Sequence, residues 1–95
     1  MKEQEEVRAV SQFFKILSDP TRLKILMFLK EGERNVSSIS DTLGMEQSAV
    51  SHQLKLLRDN RLVKARRDGK AMLYSLDDQH VLDVLEQTFR HVTHQ

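Results

Sequence analysis

Residues Ser37–Lys70 read SSISDTLGMEQSAVSHQLKLLRDNRLVKARRDGK, and the punctuation of this stretch decides the fold. Ser37 or Ser38 starts a short helix through Ile39 and Leu43. Gly44 closes it, because glycine takes the left-handed C-cap conformation without a Cβ penalty. Gly44-Met45-Glu46 then makes a turn into a longer helix over about 47–60, with Val50, Leu54 and Leu57 as its inner stripe. Leu62–Arg67 and Ala71–Ser75 read as strands. Asp68-Gly69 between them is a hairpin signal, since a tight turn demands a positive φ that glycine tolerates. A short helix, a glycine turn, a longer helix and a basic hairpin together make a winged helix-turn-helix.

Working outward, Val7, Val10, Phe13, Phe14 and Leu17 recur at helical spacing and predict a helix over about 3–17. Ser18-Asp19-Pro20 breaks it; Asp19 suits an N-cap and Pro20 the first helical position. A second helix over about 21–30 offers Leu23, Leu26, Met27 and Leu29 for burial and stops before Gly32. After the hairpin, Asp77 or Asp78 caps a last helix over about 77–94, whose apolar residues are Val81, Leu82, Leu85, Phe89 and Val92. The expected class is mainly α with a small β-hairpin: one domain over 1–95, with the wing at 62–75 and no repeats or long linker.

Composition narrows the function classes. With 39% hydrophobic and 31% charged residues, the chain fits a soluble globular domain. No stretch approaches the ~20 apolar residues of a membrane span. Met1–Arg8 is polar and lacks the apolar core of a secretory signal, so the cytoplasm is the expected compartment. The absence of cysteine removes disulfides, thiolate metal sites and thiol redox sensing together.

The net charge of +1 hides a cluster. Residues 55–70 hold seven basic side chains (Lys55, Arg58, Arg61, Lys64, Arg66, Arg67, Lys70) against two acidic ones. Such clustering is the footprint of a polyanion-binding edge. On the helix just before it, Gln47, Ser48, Ser51, His52 and Lys55 fall on the side away from Val50, Leu54 and Leu57. Gln and Ser side chains reach base edges when a helix enters the major groove, and Lys55 with the helix N-terminal amides can meet phosphates. A solvated polar face is the bland alternative. The adjoining wing, with Arg66, Arg67 and Lys70, favours double-stranded DNA.

The last helix carries different chemistry. Asp78 and His80 lie at its start, and His91 and His94, three apart, share a face at its end. His80 and His91 point almost the same way but stand ~16 Å apart along the axis. One metal ion with ~2.0–2.2 Å bonds cannot touch both ends of one helix. An antiparallel partner helix closes the gap. Across a two-fold axis, the Asp78/His80 end of one chain meets the His91/His94 end of the other. This gives two sites per homodimer, each with one carboxylate and three imidazoles, a set suited to tetrahedral zinc. Asp83, one turn from His80, is a possible substitute for Asp78. The bland alternative is a capping aspartate and surface histidines that interact with the helix dipole.

At this point the chain resembles the ArsR/SmtB family of bacterial metal-responsive repressors. The matching stretches are Leu17–Leu26 (LSDPTRLKIL), Gln47–Leu57 (QSAVSHQLKLL), and the wing from Leu62 to Lys70 and on through Tyr74-Ser75-Leu76. Asp78, His80, His91 and His94 match the pattern of the subgroup that binds zinc or cobalt between paired C-terminal helices. The resemblance implies a dimer that binds a roughly palindromic operator when metal-free and is released by zinc, derepressing metal efflux or resistance genes. Members with soft-metal sites place cysteines at the third helix; here that region reads Asn35–Ser40 (NVSSIS) and has none. Glu46 stands where the family often has serine, and is a poorer N-cap. Two rivals are a winged-helix regulator that does not sense metal and a metal-dependent hydrolase. The hydrolase reading lacks a nucleophile elbow or a His-Glu-x-x-His helix, so no enzyme activity is expected.

Overall fold

Local capping chemistry sets most element boundaries. The computed structural model describes residues 1–93. It contains α1 (Lys2–Leu17), α2 (Pro20–Leu29), α3 (Val36–Leu43), α4 (Gln47–Asp59), β1 (Val63–Asp68), β2 (Ala71–Leu76) and α5 (Gln79–Thr93). Asp19 caps α2: its carboxylate accepts the Arg22 backbone N–H at 3.0 Å, and Pro20 occupies the first helical position. The α3 cap is Asn35, whose Oδ1 accepts the Ser38 N–H at 2.7 Å. The helix therefore begins at Val36, ahead of the serines that the sequence offers as starters. Gly44 ends α3 with φ 66°, and the buried Ser40 hydroxyl donates to the Met45 carbonyl across the turn.

The hairpin is antiparallel, with register running from Val63↔Leu76 to Asp68↔Ala71. Asp68 is thus paired in β1, and the loop is Gly69-Lys70, one residue later than the Asp68-Gly69 signal places it. Gly69 has φ 65° and Lys70 stays out of the positive region, which is the pattern of a type II′ turn. Arg34, between α2 and α3, pairs with Tyr74 through both backbone bonds, at 3.0 and 2.8 Å, and so docks the α2–α3 loop on the outer edge of β2.

The core gathers Ile25, Leu26 and Leu29 of α2, Ile39 of α3, Val50, Leu54 and Leu57 of α4, Leu62 and Val63, with Val81 and Leu85 of α5. Ile25 is fully buried, although the unbroken apolar run of α2 gives no periodic signal to single it out. Arg22 ties three elements together: its Nε donates to the Ile16 carbonyl at 2.8 Å, and its Nη1 reaches Gln53 Oε1 of α4 at 3.5 Å.

α1 behaves differently. Only Ile16 and Leu17 at its C-terminal end are buried, while Val7, Val10 and Phe14 are 60, 54 and 53% exposed. Val92 on α5 is 73% exposed. Phe14, Leu17, Leu23, Leu85, Phe89 and Val92 line an apolar groove between these helices. Among the described residues, no helix is long and apolar enough to cross a membrane.

Leu54→Ala empties a fully buried position between α4 and the rest of the core. It is expected to cost about 2–5 kcal/mol. Urea denaturation followed by circular dichroism checks this; a loss under about 1 kcal/mol would contradict the packing described.

Candidate nucleic-acid interface and metal site

The α4 stripe of Val50, Leu54 and Leu57 faces the core and turns the opposite face outward. Gln47, Ser48, Ser51, His52 and Lys55 are all exposed on it. Glu46 precedes the helix without a side-chain cap bond, so no side chain there satisfies the first-turn amides. Those amides and the positive end of the helix dipole are disposed to meet an anion, against the repulsion of the adjacent Glu46 carboxylate. Lys55 Nζ meets Asp59 Oδ2 at 3.0 Å, an exposed i,i+4 pair of the kind that contributes little and opens easily.

The wing stands beside this face. Ser51, Lys55, Arg58 and Asp59 of α4 and Tyr74 of β2 line a shallow concavity between helix and hairpin. Side chains alternate along a strand, so Arg66, Arg67 and Lys70 do not act as one group. Arg67, Ala65, Tyr74 and Met72 share one face; Arg66, Lys64, Leu73 and Ser75 share the other. Lys70 sits in the tip. Arg66 is held by Glu33 of the α2–α3 loop in a two-bond fork, Nε to Oε2 at 2.7 Å and Nη2 to Oε1 at 2.8 Å. The hydrogen bond and charge of Arg66 keep the Glu33 carboxyl below the usual carboxylate range, and Glu33 in turn raises Arg66. Among the described residues, Arg67 and Lys70 form no ion pair. The sequence gives no sign of the Glu33 fork, because its partners lie 33 residues apart.

The second candidate site is at the start of α5. Asp78 Oδ1 accepts the Val81 N–H at 3.2 Å, capping the helix. Its other oxygen lies 3.3 Å from His80 Nδ1. The Val81 amide and then the His80 ring lower the Asp78 carboxyl against the opposing effect of desolvation. Both residues are exposed and, with Gln12, Phe13, Asn60 and Arg61, border a cleft between α1, the α4–β1 turn and α5. Asp83 is engaged elsewhere, accepting from Gln79 Nε2 at 2.9 Å, so Asp78 is the carboxylate that meets His80.

The Asp78 and His80 donors contact each other directly, at a separation that would also let both hold one metal ion. Two ligands on bonds of ~2.1 Å at a tetrahedral angle stand ~3.4 Å apart, close to the Asp78–His80 separation. Two donors do not complete a site, and among the described residues no group of three or more His, Cys, Asp or Glu side chains converges. His91 is exposed in the last turn of α5, eleven residues and ~16 Å of helix from His80. His94 lies outside the described residues.

Comparison with known proteins places this geometry among bacterial regulators. Residues 19–65 match the model of the family described as bacterial regulatory protein, arsR family. The chain is 42% identical over 85 residues to the HTH-type transcriptional regulator NmtR of Mycobacterium tuberculosis, covering 90% of this chain and 71% of that protein. It is 41% identical over 83 residues to a Staphylococcus aureus protein named as a cadmium resistance transcriptional regulatory protein, CadC homolog, covering 86% of this chain and 69% of the relative. Among solved structures it resembles the homodimeric winged helix-turn-helix DNA-binding domain of Mb0332 from Mycobacterium bovis. The TM-score is 0.92 at 28% identity, with 96% of this chain and 84% of that one covered.

The Glu33 fork makes a pH prediction. A depressed folded pKa means that the carboxylate's contribution is complete above the unfolded value and is lost as pH falls through the folded one. Carbon-detected NMR titration should find Glu33 below the ordinary glutamate value of about 4.3, and Arg66→Gln should return it there. A Glu33 titration unchanged by that substitution would mean the fork is absent in solution.

Proposed function

This chain belongs to the arsR family of bacterial regulatory proteins, and we propose that it is a metal-responsive transcriptional repressor. In this reading a homodimer binds a roughly palindromic operator when metal-free and releases it when zinc binds between the α5 helices. The observation that carries the metal assignment is the Asp78–His80 pair, spaced like one edge of a tetrahedral site.

The apolar residues left exposed on α1 and α5 supply the dimer surface. The homodimeric relative with the same fold supports a two-chain assembly. With the α5 helices antiparallel, Asp78 and His80 of one chain face His91 and His94 of the other, twice per dimer. Zinc, when bound, would supply a fixed junction between the two helices; cobalt accepts the same donors. The name of the cadmium-resistance relative supports a metal effector and a role in metal resistance.

On the DNA side, α4 enters the major groove. Gln47, Ser48, Ser51 and His52 meet base edges, and Lys55 swings from Asp59 to a phosphate. Arg67 and Lys70 form the basic edge of the wing, with Arg66 on the opposite face held by Glu33. The two α4 helices of the dimer must match half-sites ~34–36 Å apart. A dimer geometry fixed by the α5 junction that departs from this spacing opposes DNA binding, and the opposition is reciprocal. A coupling of ~3 kcal/mol would weaken operator binding about 150-fold. The protein acts in the cytoplasm through two opposed binding equilibria and is not an enzyme.

His91→Ala tests the assignment. The variant should bind operator with wild-type affinity in chelator-treated buffer, and zinc should no longer release it. Fluorescence anisotropy of a labelled operator duplex reads both. Zinc-driven release that survives the substitution would show that the site is elsewhere.

A further inference from the structure

Four basic residues, Lys64, Arg66, Arg67 and Lys70, lie in the wing, and the charge of one of them, Arg66, is already balanced within the fold. Arg66 spends its Nε and Nη2 donors on both oxygens of Glu33. Bidentate, charge-assisted forks of this kind are the strong class of side-chain hydrogen bond, and their geometry is specific. The fork lies beside a second connection. The next residue, Arg34, pairs with Tyr74 through two backbone hydrogen bonds, and its guanidinium sits 4.8 Å from the Phe28 ring centroid. Residues 33 and 34 therefore fasten the α2–α3 loop to the hairpin twice, through the β1 side chain of Arg66 and the β2 backbone of Tyr74. In the β ladder, Arg66 lies opposite Leu73, directly next to the Ala65↔Tyr74 pair. The two fastenings are neighbours on one ribbon.

Arg67 lies on the other face of that ribbon, the face of Tyr74, which borders the concavity with Ser51 and Lys55. The wing thus has one face, with Val63, Tyr74 and Arg67, turned toward the core and α4, and an outer face on which Glu33 of the α2–α3 loop holds Arg66.

We propose that Arg66 is a positioning residue for operator binding: its fork on Glu33 sets the wing beside α4, while Arg67 and Lys70 supply the wing's charge to the DNA backbone. The proposal rests on the operator-binding function above. An arginine whose charge is balanced by a carboxylate and that meets no phosphate releases no counterion from DNA, so replacing it by lysine, which keeps the local charge, leaves the salt dependence of binding unchanged. A phosphate-contacting lysine, present twice in a dimer, contributes roughly 1.8 to the slope of log K against log salt.

The test is operator binding by the zinc-free protein across a salt series, with wild type, Lys70→Gln, Arg66→Lys and Glu33→Gln. Lys70→Gln should flatten the slope by about 1.8. Arg66→Lys keeps the charge but loses the fork, and Glu33→Gln loses the other half. Each should weaken binding by about 3- to 10-fold, the scale of two exposed ion pairs per dimer, and Arg66→Lys, which keeps the local charge, should do so at unchanged slope. The double variant should be no weaker than either single one. Wild-type affinity in Arg66→Lys, or tighter binding with a steeper slope in Glu33→Gln, would make Arg66 a phosphate contact and overturn the proposal. Hydrogen exchange in the free protein provides a reading without DNA. Exchange at the Arg34 and Tyr74 amides should rise in Glu33→Gln, and unchanged exchange there would also overturn it. Failure of the wild-type protein to bind any operator would refute the repressor function instead, and the exchange result would still decide whether Glu33 fixes the wing.

Discussion

An α-helix rises ~1.5 Å per residue, and this rigid rise dominates what α5 can do. It holds His80 and His91 on nearly the same side of one rod, too far apart for any single ion. A flexible loop would let the chain fold its own ligands together; a helix forbids it. Asp78 and His80 are left as a pair at one end of the rod, 3.3 Å apart and open to solvent. The same rod carries Val81 and Leu85 into the core and leaves Val92 exposed. One face thus fastens α5 to its own domain, and the remainder is free for a second copy. The proposed metal sites and the proposed dimer are consequences of the same straight element.

The DNA-facing half answers to a different constraint. The α4 stripe of Val50, Leu54 and Leu57 is fully buried, so rotation of the helix about its axis would expose the centre of the core. Its polar face is thereby fixed relative to the domain. Arg22 joins the end of α1 to α4 through the Ile16 carbonyl and Gln53, and the α2–α3 loop joins the hairpin through Glu33 and Arg34. The α4 helix, the wing and the C-terminal end of α1 are therefore fastened to one another within the domain. A change in how two such bodies are set against each other alters the distance between their α4 helices without deforming either. This makes the dimer interface the natural place for metal to oppose DNA.

Much of the fold is legible where a residue's backbone chemistry admits few alternatives. Gly44 closes α3 in the left-handed region, Asp19 and Pro20 open α2, and the alternating hairpin surrounds a glycine with positive φ. Boundaries slip where several residues compete for one role. Asn35 takes the α3 cap ahead of Ser37 and Ser38, and Asp68 joins the strand and leaves the turn to Gly69 and Lys70. The α1 stripe is readable as a stripe, but helical period alone does not say whether its partner is the same chain or another. For the candidate site, the sequence brings Asp78 and His80 into view at the start of the last helix, and the capping geometry of Asp78, with one oxygen on the Val81 N–H, leaves its other oxygen beside the His80 ring. The Glu33–Arg66 fork is invisible in the sequence, since two charged loop and strand residues so far apart carry no local pattern.

The central claim is that each metal site is built from opposite ends of two chains. Co-expression of one chain carrying Asp78→Ala and His80→Ala with a differently tagged chain carrying His91→Ala and His94→Ala yields a mixed dimer that can be purified through both tags. In that dimer one site has lost every ligand and the other retains all four. Zinc titration against a competing chelator should give one tight ion per mixed dimer, and none for a dimer of either variant alone. Failure of the mixed dimer to regain a tight ion, or tight zinc on either variant by itself, would contradict the account.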